Sequence, residues 1–329
     1  MWFRRLGVVT IVTVYLLILA GGIVRSTGSG MGCPDWPRCF GSWVPPTSIS
    51  QLPPNYQELY GAKLKGEVVF NALKTWIEYV NRLLGALTGV LIFATLIASV
   101  PFLKKDKPVF YLSLLAFVMV GFQGWLGSKV VSSELHPVMV TFHMIVAILI
   151  VFVLLYALAR AYSGFLKEEK ITAKPFLNAL LVGAMLLTLV QVILGTQIRE
   201  AIDEVALRLS YLSRETWIDQ LGITFYVHRS FSLLVLALHG YLIYQLRRHT
   251  AARGRIYNFT SALMGMVVVE ILVGVVMAYL AIPAFLQPIH LTLAVVILGI
   301  QFVTLLLINQ DRAFRKTQSV AASVTNLTH

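Results

Sequence analysis

Eight stretches of this 329-residue chain each run far enough as apolar helix to cross a lipid bilayer. They fall at about 6–24, 78–101, 109–131, 138–160, 175–198, 223–246, 256–280 and 288–309. Spanning ~30 Å of hydrocarbon takes roughly 20 helical residues, and each stretch meets or approaches that length. The expected fold is therefore all-α, a polytopic membrane protein with eight transmembrane helices. Composition agrees: 57% hydrophobic and 13% charged residues is far more apolar than a soluble domain.

Basic residues orient the spans, because Lys and Arg in short loops stay on the cytoplasmic side. Arg4 and Arg5, Lys104 to Lys107, Arg160 to Lys174, Arg247 to Arg255 and Arg312 to Lys316 all fall on one side. That side carries 16 basic and 4 acidic groups, against 11 and 10 on the other, with Glu270 set apart in mid-span. Both termini are expected in the cytoplasm. The formal charge of +12 is then mostly loop charge and implies no nucleic-acid partner. The first apolar segment follows Arg4 and Arg5 as a signal peptide would, but it lacks a small-residue cleavage site, so it is read as an uncleaved span.

The chain also repeats itself. Tyr79-Val80-Asn81-Arg82 recurs as Tyr226-Val227-His228-Arg229, and Gln123, Gly127 and His143 recur as Glu270, Gly274 and His290, all at an offset of 147. Two halves follow, 1–165 and 166–316, with a Ser-, Thr- and Asn-rich tail at 317–329 expected to be disordered. Four spans per half is an even number, so the halves form a parallel repeat of two four-helix bundles. The exit of span 1, Leu19-Ala20-Gly21-Gly22-Ile23-Val24-Arg25, resembles Ile193-Leu194-Gly195-Thr196-Gln197-Ile198-Arg199 at an offset of 174. The difference places an insertion in the first outer loop, 26–75, whose Gly, Pro and Ser content predicts a cap without long helices. Its counterpart, 200–221, is expected to form a surface helix at the interface.

Asn81, His143, His228 and His290 each lie a few residues inside the outer surface and share one layer of the membrane. Facing imidazoles from His228 and His290 suit axial ligation of haem iron. The plainer alternative is a histidine that hydrogen-bonds a neighbouring helix. Zinc fits poorly, since no cysteine and no clear third or fourth ligand shares the layer. Arg82 and Arg229 follow the ligand positions, and Arg25 and Arg199 end spans 1 and 5; all four are placed to pair with haem propionates. For Arg25 and Arg199, snorkelling to the headgroups is the competing role.

The halves differ where chemistry is concerned. Three residues before His228 stands Phe225, whereas three before Asn81 stands Glu78, on the same helix face. One half has two histidines and no acid; the other has one histidine and an acid, which leaves room for reaction beside an incompletely ligated haem. Glu270 sits mid-span, where an ionisable group is costly; proton transfer and structure are both open to it, and an interhelical hydrogen bond is the bland role for its counterpart Gln123. His136, His239, His249 and His329 have no repeat partner and are expected not to be ligands. Cys33 and Cys39 flank Pro34-Asp35-Trp36-Pro37-Arg38 in the outer loop, where a disulfide persists; a structural bridge is the commoner outcome and a redox-active pair the other. No C-x-x-C-H occurs, which excludes covalently attached haem.

With these residues in view the chain resembles the haem A synthase family. The resemblance rests on eight spans in two halves, the run Gly21-Gly22-Ile23-Val24-Arg25-Ser26-Thr27-Gly28-Ser29-Gly30 with the Cys-Pro-Asp-Trp-Pro segment, and Glu78-x-x-Asn81-Arg82. It implies oxidation of the C8 methyl of haem O to a formyl group by successive hydroxylations, giving haem A. It also implies haem b between His228 and His290 with Arg229 and Arg199 at its propionates, substrate haem at His143, Asn81, Arg82 and Arg25, and Glu78 as the essential acid. A haem O synthase is the implied donor; the electron acceptor is unspecified, membrane lipid surrounds the spans, and a homo-oligomer is left open. The family motif usually has histidine where this chain has Asn81, so substrate is expected to bind through His143. A di-haem b-type cytochrome that only carries electrons is the main rival, and a transporter built on duplicated helices is a second. Without an Arg- and Ser-rich leader, the expected home is the plasma membrane of a prokaryote, with the haem sites near its outer face.

Overall fold

The computed structural model describes residues 2–60, 70–166, 169–210 and 212–315. The tail expected to be disordered lies outside the described residues. Eight long helices make up the molecule: α1 (Trp2–Ser26), α3 (Ala72–Ser99), α4 (Lys107–Ser132), α5 (Pro137–Tyr162), α6 (Lys174–Arg208), α7 (Gly222–His249), α8 (Arg255–Tyr279) and α9 (Leu286–Ile308). Two short ones, α2 (Tyr56–Tyr60) and α10 (Gln310–Ala313), complete the set among the described residues, which contain no strand. Seven of the long helices are long and apolar enough to cross a membrane. The exception, α7, has the length at 28 residues, but His228, Arg229, His239, Gln245 and Arg247 dilute its apolar run.

Local signals set the boundaries. The Asn71 side chain accepts a 3.1 Å bond from the Lys74 N–H and caps α3, while prolines in the first turns start α4, α5 and α6 where an N–H would go unpaired anyway. Between α4 and α5, Glu134 and Leu135 take positive φ angles of 54° and 62° in succession; between α8 and α9, Ala281 and Ile282 do the same at 53° each. The bonds match as well. Leu135 N–H reaches Val130 O at 2.9 Å and Ile282 N–H reaches Met277 O at 2.9 Å, each pair 147 residues from the other. The turn geometry therefore recurs without a residue in common and without glycine.

Helix α6 runs ten residues past the end near 198 that hydropathy predicts. Its extension carries Ile198, Ile202, Val205 and Ala206 against Trp217, Leu221 and Ile282, and Arg199 pairs with Asp203 one turn on. The expected surface helix in 200–221 is thus this continuation plus two 3-10 turns, Arg214–Thr216 and Ile218–Gln220.

Within the first four long helices α1 packs on α3, α4 on α5 and α1 on α5; within the second four α6 packs on α7, α8 on α9 and α6 on α9. The two groups meet through α1, α5, α6 and α9, where Ile148, Val192, Val295 and Leu298 form a shared cluster. Glycine permits a close approach between α1 and α9: a Cβ on Gly22 would stand 2.7 Å from Pro288 Cβ. The described residues 27–60 lie over the first turns of α3 through Gly32, Cys33, Asp35, Arg38 and Trp43, at the end of the bundle called here the cap end. At the opposite end Arg160 binds Asp106 at 2.9 Å and the carbonyls of Ala313 and Arg315, and Lys174 meets Asp311 at 3.2 Å.

Candidate functional site

Four positions on α3, α5, α7 and α9, each within three turns of the cap end, carry polar atoms that the packing leaves unused. His143 Nδ1, His228 Nδ1, His290 Nδ1 and Asn81 Oδ1 are buried without a hydrogen-bond partner. An unpaired polar atom in an apolar bundle is costly, so four of them in one region mark a place adapted to something besides the helices.

In the second half the rings of His228 and His290 stand 6.4 Å apart between centroids, with their planes at 75°. Two imidazoles on opposite sides of one iron, each with a metal–nitrogen bond of ~2 Å and ~1 Å more to the ring centre, have centroids ~6 Å apart. The separation fits bis-histidine ligation. Glycines on the neighbouring helices let the rings lie flat: a Cβ on Gly195 would meet His228 Cε1 at 3.7 Å, and one on Gly274 would meet His290 Cε1 at 3.3 Å. Gln191 Nε2 donates 2.8 Å to the His228 carbonyl, and Glu270 Oε1 lies 3.1 Å from His290 Nδ1, at ion-pair distance but off the line of a straight N–H···O bond.

The first half is built differently at each matching point. Gln123 Nε2 donates 2.8 Å to the His143 carbonyl, so the interhelical bond expected of Gln123 is present, and Gly127 backs the His143 ring with a would-be Cβ 3.5 Å from Cε1. Opposite His143 the sequence has Asn81 in place of histidine. Gly21 matches Gly195 at the 174 offset, but a Cβ there would meet nothing within 4 Å among the described residues. The volume that the His228 ring fills in one half is open in the other.

Glu78 is 3% exposed and lies beneath the cap loop. Its Oε2 accepts 2.7 Å from the Cys33 N–H, and Oε1 accepts from Nε and Nη2 of Arg82. Arg82 also donates Nη1 to Asp35 O at 2.7 Å and Arg38 O at 3.0 Å, and Nη2 to Cys33 O at 3.2 Å. All five guanidinium N–H groups are therefore used within the protein. Cys33 and Cys39 form a disulfide, both fully buried, and the Asp35 carboxylate inside that small ring accepts the N–H groups of Phe40 and Gly41 at 2.6 and 2.8 Å. Gly32 lets the loop lie on α3, since a Cβ there would come within 2.6 Å of the Lys74 carbonyl oxygen. Thr75 Oγ1 fixes the same point by donating 2.9 Å to Gly32 O.

The remaining arginines divide. Arg25 and Arg199 share Asp203, at 3.6 and 2.6 Å, and Arg199 Nη2 donates 2.9 Å to Arg25 O, which ties the ends of α1 and α6 together. Arg229 is exposed, with its guanidinium 5.8 Å from the Tyr226 ring centre. His239 belongs elsewhere: it bonds Val235 O at 2.7 Å and Gln301 at 2.7 Å, deep between α7 and α9. His249 pairs with Thr172 at 2.8 Å, and His136 precedes α5. Among the described residues no group of three or more His, Cys, Asp or Glu side chains converges as a metal site would require, so the histidine pair is the available ligand set.

Comparison with known proteins bears on this arrangement directly. The family model described as cytochrome oxidase assembly protein, COX15-CtaA, matches residues 4–302. The chain belongs to that family. Relatives in it include the heme A synthase of Bartonella tribocorum, 22% identical over 315 residues with 86% of this chain and 85% of that one covered, and the heme A synthase of Rickettsia bellii strain RML369-C, 25% identical over 331 residues with 88% and 93% covered. The heme A synthase of Shewanella oneidensis is 30% identical over 146 residues, and there the match takes in 44% of this chain and 40% of the relative. That match, and the one to the Shouchella clausii heme A synthase at 35% of its length, thus cover under two thirds of those proteins. Family membership agrees with the resemblance carried by the span-1 exit and by Glu78-x-x-Asn81-Arg82.

Sequence reasoning picked out the histidines, Glu78 and the cysteines but not Gln191, whose spacing from His228 carries no repeat signal. Nor did it place Arg82 among the loop carbonyls; its four acceptor atoms, Glu78 Oε1 and three carbonyls, come together only when the disulfide ring folds onto α3.

Proposed function

We propose that this protein is a haem A synthase, an integral membrane oxidoreductase that converts the C8 methyl of haem O to a formyl group by successive hydroxylations. In this reading all eight long helices cross the membrane of a prokaryotic cell as a parallel repeat, with both termini cytoplasmic and the cap end outside. The charge distribution supports that orientation, because Lys and Arg crowd the end opposite the cap.

The observation that carries the reading is Glu78, a buried carboxylate in the half that lacks the second histidine. Iron held between two imidazoles supplies one-electron redox chemistry in the second half. There His228 and His290 would hold the iron, and Arg229 and Arg199 would serve the propionates. In the first half His143 offers the axial nitrogen to substrate, Asn81 contributes a polar oxygen, and the open volume beside Gly21 gives room for the ring. Arg25, between the two regions, serves the substrate's acidic edge. Arg82 acts through its neighbours: it keeps Glu78 in place and holds the disulfide loop over it. Glu78 Oε2 accepts the Cys33 N–H and is left free by Arg82, which binds Oε1, so it is the atom available to bind or move a proton beside the reacting methyl.

Expression with a supply of haem O, followed by haem extraction and chromatography, tests the proposal. Haem A or its hydroxylated intermediate supports it. Unmodified haem b alone assigns the protein to the electron-carrying cytochromes instead. Glu78→Gln is expected to keep the second-half haem and to stop product formation; normal haem A output from that variant would remove Glu78 from the chemistry.

A further inference from the structure

We infer that Glu270 is a positioning residue that tunes the second-half haem, holding a negative charge against the outer nitrogen of one axial ligand, His290. The inference rests on the haem b reading above and concerns this chain's own residues toward that group.

Glu270 Oε1 lies 3.1 Å from His290 Nδ1, and the two side chains are 15% and 24% exposed. Glu270 Oε2 is buried with no hydrogen-bond partner. No other basic group lies within ion-pair distance of Glu270 among the described residues. A lone carboxylate in the middle of an apolar bundle is expensive, and it persists where a partner repays the loss of water. The only partner on offer is an imidazole edge. A carboxylate at Nδ1 draws the proton to that nitrogen, sets the tautomer that leaves the Nε2 lone pair free, and raises the basicity of the ligand.

The contrast with the matched positions separates this from ordinary interhelical glue. Gln123, which occupies the place of Glu270 in the first half, gives its amide N–H to the His143 backbone carbonyl at 2.8 Å, and Gln191 does the same for His228 at 2.8 Å. A carboxylate has no N–H to give to a carbonyl. Glu270 therefore cannot do what Gln123 and Gln191 do, and it meets the ring instead. None of the three site histidines makes a hydrogen bond at Nδ1, but His290 alone has an acid beside that atom, at 3.1 Å. A ligand made more basic stabilises ferric over ferrous iron, so Glu270 favours the oxidised form of the second-half haem, the form that accepts an electron.

Midpoint titration of the purified, haem-loaded protein tests the inference. Glu270→Gln is isosteric and is expected to keep the bis-histidine spectrum while the ferric-to-ferrous ratio at a fixed potential falls about tenfold, a positive shift of about 59 mV for a one-electron couple. Glu270→Asp is expected between the two. A midpoint in Glu270→Gln equal to that of the parent overturns the inference. If Glu270→Gln fails to hold haem, Glu270→Asp decides: retained haem with a positive shift supports the role, and loss as complete as in the amide variant overturns it. Failure of the underlying reading looks different, since the parent protein would then show no bis-histidine haem at all.

Discussion

Replacing Arg82 with methionine tests whether this guanidinium is a structural clamp or a hand held out to substrate. In the structure it is a clamp. Its side chain is 14% exposed and that of Glu78 5%, so the ion pair is largely removed from water. Breaking such a pair by deleting one partner costs ~3–5 kcal/mol, because the remaining charge is stranded. The three bonds to the carbonyls of Cys33, Asp35 and Arg38 come from a charged donor, and lost bonds of that kind are worth ~1.5–3 kcal/mol each when both groups stay buried. The Arg38 carbonyl is exposed and the other two regain water once the loop lifts, so the ion pair sets the scale. Arg82→Met should therefore lose about 3–5 kcal/mol.

Thermal unfolding in detergent, with parallel proteolysis of the cap loop, gives the readout. Two further variants isolate the cause. Glu78→Gln alone removes the charge that Arg82 balances, and the double variant Glu78→Gln with Arg82→Met strands nothing. The double variant should be more stable than Arg82→Met, by a coupling on the order of 1–3 kcal/mol. A stability for Arg82→Met within about 1 kcal/mol of the parent would refute the clamp and return Arg82 to the substrate propionates.

Four other outcomes follow from the same geometry. Gly32→Ala drives a methyl to within 2.6 Å of the Lys74 carbonyl oxygen, and should cost about 1–3 kcal/mol in thermal unfolding while abolishing haem O turnover through displacement of the Cys33 N–H from Glu78. His228→Ala should lose the low-spin second-half haem in reduced-minus-oxidised spectra and leave the disulfide intact by thiol titration. His143→Ala should lose haem O binding at the first half, and unchanged turnover with unchanged first-site spectra would sink its assignment. Asn81→His should fill the open volume at Gly21 and give haem O a second axial imidazole, seen as added low-spin signal on loading.

The eight long helices, seven of them apolar enough to cross a membrane, were legible because such runs depend on residue type and length alone. Glu78, Asn81 and His143 were legible as a set for the same reason: each is the departure from, or the match to, a residue in the other half. What could not be read was set by contacts between segments distant in sequence. The paired left-handed residues Glu134-Leu135 and Ala281-Ile282 have no glycine to announce them, and the second turn is held by Arg214, which donates 2.9 Å to Ala281 O from a loop 67 residues away. The length of α6 was hidden because its final turns are charged on one face and are stabilised by Trp217 and Ile282 on the other. Hydropathy sees the charges and ends the helix; packing continues it. The dilution of α7 works in the same direction, since His228, Arg229 and His239 lower its apolar character.

Each half presents one histidine in the same way, through helices that the 147 offset does not match: a glycine on the adjacent helix backs the ring, and an amide from that helix steadies the backbone. Gly127 with Gln123 does this for His143, and Gly195 with Gln191 does it for His228. Divergence then needs few changes. Shortening one imidazole to Asn81 leaves Gly21 facing open volume while the helices keep their places, because Gly21 supports nothing that the rest of the bundle leans on. Placing Glu78 one turn earlier on the same helix requires a partner charge and a roof, and Arg82 supplies both by binding the carboxylate and three loop carbonyls at once. The inserted cap and the acid are thus physically one feature: without the loop carbonyls three of the Arg82 N–H groups would go unpaired, and without Arg82 the carboxylate would be stranded. The loop that buries Glu78 also supplies the carbonyls that fix its counter-ion, so the cost of burial and its compensation arrive together.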